Sequence, residues 1–290
     1  MSKEGIQMLG RARRGATRGS LVWVAAIVAT FAMGGVAAAV PIDDVDLHGG
    51  GPTIWDPESR KATQCLDMRD GFTPVNNGEF DGNFDAFDDG LMLLVRGVTF
   101  RDPDNNGRLS GEQLTVGPGR AAGLRVTRIE RALQGSPTLR SLIAFENRRD
   151  RRQVATIQWD SNLGSDGLEE VRGSSDGDTL AEVNDRWIVS SDHATTPDDP
   201  PVVFVLWGRN ASVRTQRIIE APGDECFTIS MRIKVPARST RYLLFFTEMT
   251  DDDNAVALAS AEKFDDVGPG SPLLNGIRPR VRDRILNWNV

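Results

Sequence analysis

Residues 226–235 read Cys-Phe-Thr-Ile-Ser-Met-Arg-Ile-Lys-Val, with an apolar side chain at every second position from Phe227 to Val235. A helix would scatter those side chains around its surface; only an extended strand places them on one face. A strand's backbone N–H and C=O groups need partners, so this segment implies a sheet. Residues 123–129 and 139–145 alternate in the same way, and shorter apolar runs at 91–95, 98–100, 154–159, 186–189 and 241–247 are separated by Gly, Asp, Asn and Pro turns. The run at 202–207 has no polar residue, which predicts a central strand. Many short strands at such spacing predict an all-β chain: one large antiparallel β-sandwich. Beyond Thr250 the period changes. Asp251, Asp252 and Asp253 predict the cap of a short helix carrying Val256, Leu258, Ala261 and Phe264. Ile277, Val281, Ile285 and Trp288 share one helical face and predict a last helix starting near Pro279.

The N-terminus carries Lys3, Arg11, Arg13, Arg14 and Arg18 against the single acid Glu4, and residues 21–40 are uncharged. A basic, then apolar, then small-residue order is that of a secretory signal. Ala37, Ala38 and Ala39 predict a cut after Ala39. An uncleaved segment of this length would instead serve as an anchor. Either outcome places the rest of the chain outside the cytoplasm, secreted or at the cell surface. The expected organisation is a signal peptide over 1–39, a Gly-, Pro- and Asp-rich lead-in over 40–59, and the sandwich over 60–290. Removing the signal leaves 29 of the 34 basic and 40 of the 41 acidic side chains, a net charge of −11. Such a surface repels nucleic acid and anionic lipid and favours cations. Membrane contact is expected only through an uncleaved signal.

Cys65 and Cys226 are the two cysteines. Outside the cytoplasm they can form a disulfide; the alternative is two buried free thiols. Residues 102–113 nearly fit a twelve-residue calcium loop. Oxygen ligands fall at Asp102, Asp104 and Asn106, Gly107 is placed for the sharp turn, and Arg108 offers its backbone carbonyl. The closing carboxylate is missing, because Gln113 stands there, so the expected cofactor is a weakly held Ca2+ or the loop is a polar hairpin turn. Asp81, Asp85, Asp88 and Asp89 form an acidic segment anchored by Phe80, Phe84 and Phe87, read mainly as a solvated turn. His48-Gly49-Gly50-Gly51 and Gly173-Ser174-Ser175-Asp176-Gly177 imitate an esterase's oxyanion loop and nucleophile elbow. That chemistry needs Ser175 on a strand-to-helix turn and a histidine well downstream. His193 lies close behind, and no later histidine follows. No catalytic residues are assigned.

Three patterns carry a family resemblance. Phe84-Asp85-Ala86-Phe87-Asp88 precedes a strand. Residues 123–128 lead to 139–142 and then Asn147. Asn162-Leu163-Gly164-Ser165-Asp166-Gly167 is followed by Ser174-Ser175-Asp176-Gly177-Asp178 and Asp185-Arg186-Trp187. From about residue 80 onward the chain resembles a module of bacterial secreted and cell-surface proteins, related to the supersandwich domains of carbohydrate-active proteins. The resemblance implies a supersandwich-like fold and no catalytic residues. The expected function is a non-catalytic binding or structural module, with a glycan or a cell-surface protein as partner. The alternative is a carbohydrate-active hydrolase or lyase using paired carboxylates.

Overall fold

The computed structural model describes residues 38–61, 65, 70–82, 85–164, 169–192, 199–220, 225–250 and 253–290. The signal-peptide reading falls almost wholly on 1–37, outside the described residues. No helix among the described residues is long and apolar enough to cross a membrane.

The first strands are β1 (Ala38–Pro41), β2 (Leu47–His48), β3 (Thr53–Trp55), β4 (Glu58–Lys61), β5 (Gly71–Thr73) and β6 (Glu79–Phe80). Then come β7 (Phe87–Val95), β8 (Val98–Thr99), β9 (Asn106–Ser110), β10 (Gln113–Ala121), β11 (Leu124–Ala132), β12 (Thr138–Asn147) and β13 (Gln153–Leu163). The series closes with β14 (Glu170–Ser174), β15 (Trp187–Ser191), β16 (Val202–Val205), β17 (Thr215–Ile219), β18 (Cys226–Val235) and β19 (Ser239–Met249), followed by helices α1 (Asn254–Glu262) and α2 (Pro279–Arg282). A nine-stranded sheet runs β1-β9-β10-β11-β12-β19-β16-β15-β14, and a five-stranded sheet runs β17-β18-β13-β7-β8. Neighbouring strands in both pair antiparallel. The expected all-β sandwich is the observed fold.

The two sheets bury their facing side chains together. Leu91, Leu93 and Val95 of β7, Ile157 and Trp159 of β13, and the alternating Phe227, Ile229, Met231, Ile233 and Val235 of β18 come from the smaller sheet. Val126, Ile143, Phe204 and Phe245 meet them from the larger one. Trp159 stands edge-on to Phe245 at 3.7 Å between ring centroids, and Phe204 stacks on Phe227 at 4.7 Å. Such pairs add about 0.5–1.5 kcal/mol each beyond their burial.

Residues 123–129 depart from the expected parity. The inward face of β11 reads Leu124, Val126, Arg128, Glu130, Ala132, so the strand puts a charged pair into the core and turns Ile129 outward. Arg128 Nε donates to Glu130 Oε1 at 2.7 Å and Nη1 to the Leu91 carbonyl at 2.7 Å. Ser141 donates its hydroxyl to the other oxygen of Glu130. The guanidinium also lies over the Phe72 ring at 5.2 Å and the Trp159 ring at 5.8 Å.

The outer face of the larger sheet is covered by the chain's end. Leu142, Val203, Val205, Leu244 and Phe246 meet Ala257, Ala261, Phe264, Ile277, Ile285 and Trp288 in a second apolar cluster. β12, β16 and β19 are therefore buried on both faces, and β16 lies inside the sheet between β19 and β15, as expected of a central strand. Asp253 caps α1, its side chain accepting from the Ala255 N–H at 2.7 Å. The last helix is shorter than predicted: α2 is a single turn, and Ile285 then forms a parallel bridge with Tyr242. The four apolar positions pack on the sheet without continuing as a helix. The lead-in is woven into the fold, since β1 forms the edge of the larger sheet against β9.

Candidate functional site

β14 ends at Ser174 and β15 begins at Trp187; the loop between them folds back on itself. The Ser174 N–H donates to the Asp178 carbonyl at 2.9 Å and the Gly177 N–H to the Ser174 carbonyl at 3.0 Å. Gly177 has φ +95°, which a side chain would resist. Ser175 N–H reaches the Trp187 carbonyl at 3.1 Å, and Arg186 N–H returns to Ser175 Oγ at 2.8 Å. Gly173 lets α1 close over the strand, because a Cβ there would lie 2.4 Å from Leu258 Cδ2.

This folding concentrates negative charge. Ser174 Oγ lies 2.7 Å from Asp176 Oδ1 and 3.1 Å from Asp178 Oδ1, yet its one proton can serve only one of them. Carboxylate oxygens of Asp176, Asp178 and Glu182 all lie within 4.8 Å of one another. Among the described residues no Lys or Arg pairs with these three acids. Hydrogen bonds, chiefly from Ser174, hold the Asp176 carboxyl below the usual carboxylate range. Asp185 sits fully buried behind them. Burial, reinforced by the charges of Asp176 and Asp178, pushes its carboxyl up, although the Glu182 N–H and the Ser174 side chain work against this. Its Oδ2 accepts that N–H at 2.7 Å, while Oδ1 has no hydrogen-bond partner of good geometry among the described residues. Asp176, Asp178 and Glu182 are all exposed, and each offers one oxygen of the kind that hard cations take as ligands.

The loop rims a cleft of about 590 Å³, whose opposite side is formed by Trp187, Arg209, Leu258, Glu262, Asp265 and Asp266. Asp265 is neutralised: it accepts from Arg186 Nη2 at 2.7 Å and Trp187 Nε1 at 3.1 Å, with Arg209 at 3.7 Å. Glu262 and Asp266, like Asp176 and Asp178 of the loop, have no ion pair among the described residues, so the cleft is acidic overall.

The residues expected to hold calcium lie elsewhere. Asp102 Oδ2 accepts the N–H groups of Asp104 and Asn106, both at 3.2 Å, and Asn106 Nδ2 donates to the Asp104 carbonyl at 2.8 Å. The sharp turn belongs to Asn105, φ 53°, and not to Gly107. Gly107 is inside β9, where a Cβ would meet Leu114 Cδ1 at 2.3 Å. Arg108 also lies within β9, opposite Ala39 and Thr115. Cys65 and Cys226 form a disulfide with Cα atoms 5.3 Å apart. Ser175 is followed by a turn and a strand, and four strands of the larger sheet separate β14 from β11, beside which Gly49 packs against Leu133. The esterase arrangement is therefore not assembled; His193 and Phe84 lie outside the described residues.

Two of the patterns behind the resemblance are structural joints. Asn162 Nδ2 donates to Asp88 Oδ2 at 3.0 Å, joining β13 to β7. Asn147 Nδ2 reaches the carbonyls of Arg151, Val235 and Pro236 at 2.8, 3.1 and 2.9 Å. The third pattern supplies the cleft loop. Its acids at 176, 178, 182 and 185 recur within one turn-rich stretch, a spacing in plain view that the esterase look-alike masked.

No protein-family model and no curated protein matches the chain. Among solved structures it is similar to a protein described as a kojibiose phosphorylase from human microbiome, with TM-score 0.41 and 8% identity over 80% of this chain and 34% of that one. It is also similar to a protein described as an aldose 1-epimerase from Klebsiella pneumoniae, with TM-score 0.27 and 8% identity over 55% of each chain. The chain thus spans about a third of the first and about half of the second. At these TM-scores neither likeness bears on what the chain does.

Proposed function

We propose that the chain is a non-catalytic, extracytoplasmic β-sandwich module that binds a glycan at the cleft beside the 174–186 loop, with calcium holding that loop in shape. One observation carries the reading: one carboxylate oxygen each of Asp176, Asp178 and Glu182 lies within 4.8 Å of the other two, and Asp176 and Asp178 line the cleft. A hard cation there would offset the mutual repulsion and leave coordination positions for the hydroxyls of a sugar.

The carboxylates suit ion binding better than acid–base catalysis. Glycoside cleavage needs a carboxyl of raised pKa that faces the substrate. Asp160 and Asp185, whose carboxyls are raised, are both fully buried, whereas the exposed Asp176 is lowered. The test is a glycan array run in millimolar calcium and again in chelator, beside a broad hydrolase panel. Capture of a glycan only in calcium, lost in Asp178→Ala, is expected. Equal capture in chelator, or turnover in the panel that Asp178→Ala abolishes, would overturn the reading. Capture of a cell-surface protein without any glycan would replace the ligand class.

A further inference from the structure

A second cavity, lined by the opposite charge, lies on the outer face of the larger sheet. Arg131 of β11 and Arg140 of β12 are cross-strand partners, and like charges directly opposite in a sheet repel. Arg140 lines a cavity of about 540 Å³ together with Arg278, Arg280 and Arg284 of the chain end, and Arg131 adjoins it at Gly276. Among the described residues none of these five arginines forms an ion pair. Arg282, on the same segment, has a different task. Its guanidinium donates to the carbonyls of Ile277, Pro269 and Leu274 at 2.8, 2.5 and 2.9 Å, and so fixes the segment.

Arg140 is the deepest of the group, 2% exposed. Its Nη1 donates to the carbonyls of Leu273 and Asn275, both at 2.8 Å, while its Nε is buried without a partner among the described residues. Burial, with Arg131 and Arg282 nearby, lowers its pKa to about 10, which leaves it charged at neutral pH. Gly276 brings the two sheet arginines together. A Cβ on it would lie 2.7 Å from Arg131 Nη1 and 4.0 Å from Arg140 Nη2, so both guanidinium heads abut one residue that has no side chain. Like charges held this close repel one another, and an anion between them would offset that repulsion.

We propose that this cavity binds a sugar-sized organic polyanion, one acidic group lying against Arg131 and Arg140 and another against Arg278, Arg280 and Arg284. Carboxylate, phosphate and sulfate share the planar or tripodal oxygens that arginine's fork engages. The volume falls in the range of organic ligands, roughly 300–1,000 Å³, and is larger than a lone inorganic ion requires. Ile129, Leu142, Tyr242 and Val281 line the same space and offer apolar contact to a carbon frame.

The test is calorimetric titration of the full chain at low salt with five probes: a galacturonate oligosaccharide, inositol hexakisphosphate, a sulfated disaccharide, a neutral oligosaccharide and inorganic phosphate. At least one organic polyanion should bind, with affinity falling as salt rises. The double variant Arg278→Ala/Arg280→Ala should weaken it by about tenfold or more without lowering the ligand-free melting temperature, since neither side chain holds an ion pair. Arg284→Ala should weaken it as well, and Asp178→Ala should leave it intact, which separates this cavity from the acidic cleft. Failure of every organic polyanion to bind, inorganic phosphate binding as tightly as any of them, equal binding of the neutral sugar, or an undiminished double variant would each overturn the proposal.

Discussion

Asp160 lies fully buried on β13, directly opposite Thr228 of β18. Burial pushes its carboxyl up to about 6, against a partial offset from the Thr228 hydroxyl. Neither carboxylate oxygen makes a hydrogen bond of good geometry among the described residues. An unfolded aspartate titrates near 3.9, so between about pH 4 and pH 6 the native state binds more protons than the unfolded one. Stability is then greatest below that window and falls by about 3 kcal/mol as pH rises through it. Denaturant melts of Asp160→Asn and the parent at pH 4 and pH 6.5 should show the larger fall in the parent; identical pH profiles would contradict this. Glu130 offers a second test. Glu130→Gln leaves Arg128 charged and buried with weakened compensation, and a loss of about 3–5 kcal/mol is expected. Replacing both residues by apolar ones of similar volume should cost less, and an equal or greater cost would contradict the account. The sequence does not show this pair, because Leu124 and Val126 fix the parity of β11 and Arg128 then looks like a polar residue on the wrong face. Glu130 two positions along the strand, the Leu91 carbonyl and the Phe72 and Trp159 rings make its burial tolerable.

At the scale of elements, the least legible part was the chain end. Ile277, Val281, Ile285 and Trp288 are spaced as a helix would space them, yet the segment leaves the helix after one turn. Its backbone pairs with the sheet instead, the Tyr242 N–H donating to the Arg284 carbonyl at 3.0 Å and the Leu286 N–H to the Tyr242 carbonyl at 2.9 Å. Asn287 Nδ2 donates to the carbonyls of Leu206 and Leu244 at 2.8 and 2.6 Å, and its Oδ1 accepts the Leu244 N–H at 2.9 Å. Trp288 Nε1 also reaches the Leu244 carbonyl, at 2.7 Å. Burial periodicity reports which side chains face the sheet, and a segment lying flat on a sheet can mimic a helix. Asn287→Ala removes three buried hydrogen bonds from one residue. Chemical denaturation should show a loss of about 1–3 kcal/mol; a loss within error would mean that the segment is held by its apolar contacts alone. The strands were more legible, because alternation at β18 and the continuous run at β16 each follow from which faces are covered.

For the molecule as a whole, the disulfide between Cys65 and Cys226 closes a sequence separation of 161 residues. A loop that long should stabilise the fold by about 4–5 kcal/mol through the entropy of the unfolded chain. Mild reductant should therefore lower the melting temperature, and the denatured, unreduced chain should titrate no free thiol; two reactive thiols would contradict the bond. The sequence shows both cysteines but not their pairing, which depends on where β18 and the segment at residue 65 meet. The site was half legible in the same sense. Its acids stand in the 174–185 stretch, but their convergence depends on how the β14–β15 loop folds. The central claim is that this loop is organised by a cation, and calorimetric titration of calcium into the chelator-stripped full chain tests it most directly. One site with a dissociation constant of roughly 10⁻⁴ to 10⁻³ M should appear, vanish in Asp178→Ala and persist in Asp104→Ala. Loss only in Asp104→Ala would move calcium to the Asp102 loop. No binding at several times that concentration, or binding undiminished in Asp178→Ala, would contradict the account.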